Sequence, residues 1–556
     1  MEFERSWHKN YPVGTPHNIS LEETTIPEAL ERSASKFPQN PALIYMGKVI
    51  NFRELNLLVN RFANALLDLG IGPGDKVGIL LPNMPQTVIA NLATLRIGGV
   101  TAMNNPLYTE RELEYQLNDS DAKALVTLDL LFPRVIKIQG KTKIKTIITC
   151  HINDFLPFPA KQLFPFVKKD MFRKDTSHEG AYGFMQLIKK YPETKVENKA
   201  SWEDTAALIY TGGTTGVSKG AELSHANLSS VTQMFSAWFP ELNFGDQERL
   251  MGIYPIFHSA GYGVSQNLPI WNAWSVVLVP RPEPVVICNM LKKFKPSFLP
   301  GVPTIYVGLL NHKPFREMDL SFIKGYFAGA APLAEDTLKQ LKKLHGAIIS
   351  DVYGATENTA FATCTPWKGK VKIGTVGVPL PSTDIKIVDL ETGTTELEPG
   401  QEGEICIKGP QVMKGYYKKP AETAAAIKDG WFYLGDIGKM DEDGYLTIVD
   451  RKSDMIIAGG FNIYPKEIDE VLMGHSKIFE ACTIGIRDSY RGETVKAYVV
   501  LLPGEKMTEE EVIAYCRDKL APYKAPRSIA FVEELPKSAV GKILRRQVKQ
   551  SDQEGK

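Results

Sequence analysis

The sequence predicts an α/β protein: a large N-terminal domain with layered, mostly parallel sheets and helices, followed by a small α+β C-terminal domain. Three observations carry that expectation. Short apolar runs alternate with helical patterns over most of the chain, the texture changes near Asp450, and 556 residues exceed what one hydrophobic core organises.

The runs VGILLP (Val77 to Pro82), TAALIYT (Thr205 to Thr211) and SVVLVP (Ser275 to Pro280) have the length and composition of buried strands. Between such runs lie patterns like FRELNLLVNRFANALLDLG, from Phe52 to Gly70, with leucines and phenylalanines at three-and-four spacing before a terminal glycine. That alternation is the pattern of parallel sheets. Further on the chain turns to short alternating segments, DIKIVDL, GEICIKG and GYLTIVD, then a helix, PKEIDEVLMGH, and a strand, KAYVVLL. The charged run DRKSD, from Asp450 to Asp454, suits a connector, so a boundary is expected at 450, with domains 1–450 and 451–556.

A net charge of +1, with 23% charged residues, gives no reason to expect a nucleic-acid partner. Six cysteines, Cys150, Cys288, Cys364, Cys406, Cys482 and Cys516, are scattered and form no CxxC pair, which argues against a zinc site or a disulfide framework. The start MEFERSWHKN lacks the features of a secretory signal and SDQEGK is no peroxisomal address, so the cytoplasm is the expected compartment. Leu250 to Pro280 contains no Asp, Glu, Lys or Arg, but Pro255, Pro269, Gly261 and Gly263 interrupt it. Buried strands and loops lining an uncharged cavity are expected there, not a membrane span. The segment Phe155 to Lys174 mixes five phenylalanines with prolines and basic residues. Its two readings are a membrane-surface or acyl-entry element and a loop packing its aromatics on the body; its prolines speak against a continuous helix.

After Tyr210 comes YTGGTTGVSKGAELSHANL, in which Gly212, Gly213, Gly216 and Gly220 alternate with Thr211, Thr214, Thr215, Ser218 and Lys219. Glycines let backbone amides approach phosphate oxygens, hydroxyls add donors and a lysine supplies charge, a design for a polyphosphate. The spacing does not match the P-loop GxxxxGK[ST].

With this loop the chain resembles the adenylate-forming superfamily of acyl-coenzyme A synthetases, luciferases and peptide-synthetase adenylation domains, and most of all the long-chain fatty-acid–CoA ligases. The resemblance covers nearly the whole chain. PIFHSAG (Pro255 to Gly261), GAAPL (Gly329 to Leu333), DVYGATE (Asp351 to Glu357), GEICIKGPQVMKGYY (Gly403 to Tyr417), WFYLGD (Trp431 to Asp436), DRKSDMIIAGGFNIYPKEID (Asp450 to Asp469) and PKSAVGKILRR (Pro536 to Arg546) follow in the family's order. Gly212, Ser218 and Leu434 depart from its commonest pattern.

The resemblance implies ATP, Mg2+ and coenzyme A as cofactors or co-substrates. Thr211, Gly212, Gly213, Thr214, Thr215, Gly216 and Lys219 would hold phosphates. Tyr353 would stack on adenine within a wall of Gly329, Ala330, Ala331, Asp351 and Gly354. Thr356 would contact the α-phosphate, and Glu357, with Thr214, the magnesium ion. Asp436 would accept from the ribose hydroxyls, with Arg451 also reaching the nucleotide. Lys542 would bridge the carboxylate and α-phosphate as the catalytic cation. Family members rotate the small domain between half-reactions, which makes it mobile, with Ser453 at the hinge position near 450–453 and Ala458, Gly459 and Gly460 exchanged for the lysine loop.

In amino-acid-activating members an aspartate follows the phenylalanine of the fourth signature; here that position is His258, so no anion awaits an α-amine. His258, Gly261 and Tyr262 are the candidate pocket residues, with a pocket wall or gate and ordinary core both open for the His and Tyr. The expected reaction is activation of a medium- to long-chain fatty acid to acyl-AMP, then thioester formation. An aromatic-acid–CoA ligase and an acyl-AMP ligase serving a carrier protein are the alternatives. The expected partners are small molecules, namely the acid, ATP and coenzyme A, and no nucleic acid; peripheral membrane contact and a homodimer stay open.

Overall fold

The structure, a computed structural model, describes residues 5–211, 218–329, 333, 335–346, 348–458, 461–488, 492–538 and 541–555. The chain divides into two compact units, one of Met1–Asp384 and Lys408–Phe432, the other of Ile385–Ile407 and Tyr433–Lys556.

Two mixed sheets with mainly parallel pairing organise the first unit. Among the described residues one has nine strands, with Ile348–Tyr353, Gly325–Ala328, Phe298–Gly301, Arg249–Gly252, Ser275–Leu278 and Pro41–Tyr45 adjacent in that order. Their register is parallel throughout: Ala328 lies opposite Asp351, Phe298 opposite Gly325 and Leu43 opposite Val276. Phe298–Gly301 and Gly325–Ala328 are buried along their whole length, as strands covered on both faces must be. Leu299 and Tyr326 pack with Leu291, Tyr306 and Leu309 from helices beside the sheet. Each leucine so buried contributes about 1.5–3 kcal/mol. The other sheet centres on Lys76–Leu80, between Val100–Met103 and Ala122–Leu128, with Thr205–Thr211 next to Val100–Met103.

The helix Phe52–Asp68 shows how local sequence sets an element. Asn51 caps it by accepting from the Glu54 amide at 2.7 Å, and Leu55, Val59, Phe62, Ala63 and Leu66 are buried along one face. Gly70, at φ 75°, turns the chain out of it.

The charge-free stretch departs from the expected strands and loops. Its ends are the strands Arg249–Gly252 and Ser275–Leu278, but between them run a turn of α-helix, Ser259–Gly261, a π-helical turn, Tyr262–Asn267, and Leu268–Asn272. The wide turn precedes Pro269, which has no N–H to make an α-type bond back to Ser265. Among the described residues no helix is long and apolar enough to cross a membrane.

A second departure lies in the phenylalanine-rich segment, where Ala160–Val167 is a helix despite Pro165 inside it. The Lys161 carbonyl, which Pro165 cannot serve, accepts instead from Asn153 Nδ2 at 3.0 Å.

In the second unit, Leu446–Arg451 pairs antiparallel with the long strand Trp431–Met440. A separate sheet, with Ile478–Asp488 and Gly492–Leu501 paired over their length, has the two-residue period of a strand covered on both faces. Val495, Ala497 and Val499 join the core under the helices Pro465–Met473 and Glu509–Lys519. Tyr498 and Val500 point the other way, into a core closed by Val548 of the helix Arg545–Gln553.

Candidate functional site

Thr205–Thr211 and Lys219–Ser224 form an antiparallel hairpin, with Thr211 opposite Lys219 at its open end. Thr211 and Lys219 therefore flank the candidate phosphate loop; Gly212, Gly213, Thr214, Thr215 and Gly216 themselves lie outside the described residues, as do Ala330, Ala331, Gly459 and Gly460. Tyr115 donates its hydroxyl to the Ser218 carbonyl at 3.0 Å, fixing the loop's exit.

The short strand Gly415–Tyr416 adds to the edge of this hairpin, Tyr416 opposite Ala221. That pairing brings the nearly buried Tyr416 ring 4.1 Å from the Lys219 ammonium, a cation over an aromatic face. The Tyr416 hydroxyl donates to Glu357 Oε1 at 2.9 Å, and the Met413 amide donates to the Glu357 carbonyl at 2.8 Å. Lys219 and Glu357 thus meet the same tyrosine, one at its ring face and the other at its hydroxyl.

Glu357 follows the strand Ile348–Tyr353 on a tight 3-10 turn, Thr356–Asn358, closed by Asn358 Oδ1 accepting from the Ala355 amide at 2.6 Å. Gly354 is required at the corner, since a Cβ there would sit 2.3 Å from the Ala360 carbonyl oxygen. Thr356 is buried with its hydroxyl 3.2 Å from that of Ser259. Gly329, Asp351, Tyr353 and Gly354 gather at the carboxyl ends of two neighbouring parallel strands, where open α/β sheets bind ligands. Burial pushes the Asp351 carboxyl up to about 7.

His258 caps the helical turns that follow, its Nδ1 accepting from the Ala260 amide at 3.3 Å. At Gly261 a Cβ would lie 2.0 Å from the Pro255 carbonyl oxygen, so only glycine permits the turn. Tyr262 is fully buried; its hydroxyl donates to Asn91 Oδ1 at 2.8 Å and lies 3.3 Å from Thr101 Oγ1, and burial pushes its pKa up to about 12. The Asn91 amide in turn donates to Gln266 Oε1 at 3.0 Å. Tyr262 is thus held in a buried polar chain with Thr101, Asn91 and Gln266.

The second unit carries its own constellation. Asp436 and Arg451 face each other across the hairpin, with Arg451 Nε 3.0 Å from Asp436 Oδ1. Lys542 has an exposed residue surface, yet the protein packed around its ammonium removes enough water to lower its pKa to about 8. The positive charge of Arg451 adds to the lowering; Asp436 and Asp454 oppose it. Ser538 Oγ accepts from the Lys542 amide at 3.2 Å, and the Ser538 amide donates to the Lys542 carbonyl at 2.8 Å.

Ser453 sits in an exposed turn after Arg451, its hydroxyl donating to Asp454 Oδ1 at 3.3 Å. Arg545 grips the same turn from the C-terminal helix. Its guanidinium is 3.0 Å from Asp454 Oδ2, 2.6 Å from Asp469 Oδ2 and 3.8 Å from Asp450 Oδ1, and its Nε donates to the Thr483 carbonyl at 2.9 Å. Burial pushes the Asp469 carboxyl up to about 6, against the pull of Arg545. Ala458 ends the strand Ile456–Ala458, opposite Gly492 and Phe461.

Sequence reasoning passed over Tyr416, Ser259 and Arg545. All three stand inside quoted motifs: Tyr416 in GEICIKGPQVMKGYY, from which no residue was singled out, Ser259 in PIFHSAG, read for its histidine and final glycine, and Arg545 in PKSAVGKILRR, read for Lys542.

A family model described as AMP-binding enzyme matches residues 30–417, and a second, AMP-binding enzyme C-terminal domain, matches 467–542. The chain is 41% identical to a protein of Bacillus subtilis (strain 168) named long-chain-fatty-acid–CoA ligase, over 100% of this chain and 99% of that one. Among solved structures it is similar to ATP-bound MatB from Rhodopseudomonas palustris, with a TM-score of 0.84, 30% identity and coverage of 95% of this chain and 99% of that one. It is also similar to o-succinylbenzoate coenzyme A synthetase from Bacillus subtilis in complex with ATP and magnesium ion, with a TM-score of 0.79, 28% identity and coverage of 94% and 99%.

Proposed function

The chain belongs to the AMP-binding enzyme family, and from that premise we propose how its residues divide the work of an acid–thiol ligase. The reaction is ATP-dependent: a fatty acid becomes an acyl-adenylate with release of pyrophosphate, and the acyl group then passes to coenzyme A as a thioester. The single observation that carries this reading is the full-length likeness to a long-chain-fatty-acid–CoA ligase.

In the first half-reaction two anions must meet, the substrate carboxylate and the α-phosphate. Lys542, beside Asp436 and Arg451, is our candidate for the cation that relieves their repulsion. Asp436 accepts from the ribose hydroxyls, and Arg451, 3.0 Å away, orients that carboxylate. Thr356 offers its hydroxyl to the α-phosphate while Ser259 fixes its rotamer. Thr211 and Lys219 flank the phosphate loop, and Tyr353, with Gly329, Asp351 and Gly354, forms the adenine wall.

A magnesium ion arriving with ATP takes most of its ligands from phosphate oxygens and water, so one carboxylate is a fitting protein share. Glu357, held by Tyr416, is the residue we assign to it, with Thr214 as the loop's contribution. When bound, the ion neutralises phosphate charge.

For the second half-reaction we propose that 451–556 moves as a unit about Ser453, bringing Ala458, Gly459 and Gly460 to the pantetheine path in place of Lys542. No general base is assigned, because a thiol of pKa near ~8.5 attacking an acyl-adenylate needs little help. His258, Gly261 and Tyr262 we assign to the wall of the acyl site. The cytoplasm is the compartment we favour, supported by six buried cysteines, all free thiols.

The test is to incubate the protein with ATP, magnesium and acids from acetate through octanoate and palmitate to benzoate, following AMP and pyrophosphate with and without coenzyme A. A palmitoyl or lauroyl thioester formed in preference to benzoyl supports the reading. Acyl-adenylate that persists after coenzyme A is added points to a carrier-protein acceptor instead.

A further inference from the structure

The segment from His151 to Arg173 is a closed excursion of the first unit, pinned at its neck. The fully buried Asp129 carboxylate receives both ends: its Oδ2 lies 2.8 Å from His151 Nδ1 and accepts from the Arg173 amide at 2.7 Å. Phe172 stacks on His151 with ring centroids 4.8 Å apart. Inside the excursion Phe155, Leu156 and Phe164 pack inward.

The helix it carries is turned with its apolar side to solvent. Leu163, Phe166 and Val167, at i, i+3 and i+4, form one face and are 53%, 74% and 71% exposed; Phe158 just before the helix is 83% exposed. Lys161, by contrast, folds inward, its ammonium donating to the Asp154 carbonyl at 2.6 Å. The bond from Asn153 to the Lys161 carbonyl fixes the helix's roll, so the outward apolar face is held by the fold. Scattered exposed leucines need no explanation, but four large apolar side chains within ten residues do.

Exposed basic residues border this face. Lys168, Lys169, Arg173 and Lys174 follow directly, and Asp170 is the one acid between Phe155 and Lys174. An apolar face bordered by cations matches the interface of an anionic lipid bilayer, where rings enter the headgroup boundary and lysines meet lipid phosphates.

We propose that the Phe158 to Lys174 excursion is a peripheral docking surface for anionic membranes. This goes beyond the ligase reading and does not depend on it.

The test uses the full chain in cosedimentation with vesicles of phosphatidylcholine and phosphatidylglycerol in equal parts, against pure phosphatidylcholine. The protein should bind the mixed vesicles, less so as salt rises. The variant Phe158→Ser/Leu163→Gln/Phe166→Ser should lower partitioning by about tenfold or more. Lys168→Gln/Lys169→Gln should weaken binding to the mixed vesicles alone. Octanoate turnover without vesicles should be unchanged in both variants; its absence in the unaltered protein would count against the ligase reading and leave the docking result standing. Three outcomes would overturn the proposal: no binding of the unaltered protein to mixed vesicles, full binding by the triple variant, or concentration-dependent self-association that the triple variant abolishes, which would make the face a contact between copies.

Discussion

Tyr416 holds Glu357 by a 2.9 Å hydrogen bond from its hydroxyl to one carboxylate oxygen, while its ring faces the Lys219 ammonium at 4.1 Å. One side chain thereby orients the proposed metal-binding acid and a lysine at the foot of the proposed phosphate loop. Removing the hydroxyl alone, in Tyr416→Phe, leaves the ring with Lys219 and frees the carboxylate. The magnesium concentration for half-maximal pyrophosphate release should rise about tenfold, the usual size of such a supporting contact. An unchanged magnesium titration would remove Tyr416 from this role.

Lys542→Ala should slow acyl-adenylate formation on the order of a hundred-fold, the cost of losing one preorganised charge. Conversion of supplied acyl-adenylate and coenzyme A to thioester should be nearly unaffected. Equal losses in both half-reactions would mean that Lys542 is structural.

The lowered Lys542 pKa, about 8, sets a pH dependence. As the proposed catalytic cation, it contributes fully below that value, and the contribution disappears as pH rises through it. In kcat/KM for adenylation, which reports the free enzyme, a falling limb should begin near pH 8. Lys542→Arg, which stays charged, should flatten that limb even if the maximum rate drops.

Asp351 should affect stability with the opposite sign to an ordinary paired carboxylate. Its folded pKa, about 7, lies above the ordinary carboxylate value of 3.8, so the ionised form is favoured in the unfolded chain. The resulting penalty grows as pH rises from 3.8 and is complete above 7. Asp351→Asn should therefore raise Tm relative to the unaltered protein at pH 8 and leave it nearly unchanged at pH 4. An equal shift at both values would show that the carboxylate is not strained by burial.

Arg545→Met would leave Asp450, Asp454 and Asp469 without their common partner, two of them buried. Breaking such a cluster from one side costs about 3 kcal/mol or more, which urea denaturation of the full chain would register as a lower midpoint. A loss below about 1 kcal/mol would class the cluster with exposed ion pairs.

What the sequence makes legible follows from the range of the interactions involved. VGILLP and TAALIYT are strands in the structure because their burial is written in consecutive residues, and the Phe52–Asp68 helix because its buried face repeats every three or four. Lys542 and Glu357 can be named because short motifs surround them. Tyr416 is different: it meets Glu357 only because its strand adds to the hairpin edge at Lys219–Ser224, a pairing that no local pattern encodes. Arg545 reads as a solvated residue of a basic tail until the fold brings three aspartates from upstream to it. The helical turns between Ser259 and Asn272 were hidden by glycines and prolines, whose ordinary meaning is loop. The helix at Ala160–Val167 depends on Asn153 supplying the donor that Pro165 lacks.

The Arg545 cluster also decides where this chain can be recombined with a relative. A crossover between Asp454 and Asp469 would import Arg545 with only one of its three acids, and the recipient would have to supply carboxylates at 450 and 454. A breakpoint just before Asp436 carries the whole cluster, together with the Asp436–Arg451 pair and Lys542, as one inheritance. Hybrids designed at the earlier point should fold with their lysine loop correctly seated, whereas those cut within the later interval should need compensating acids before they do.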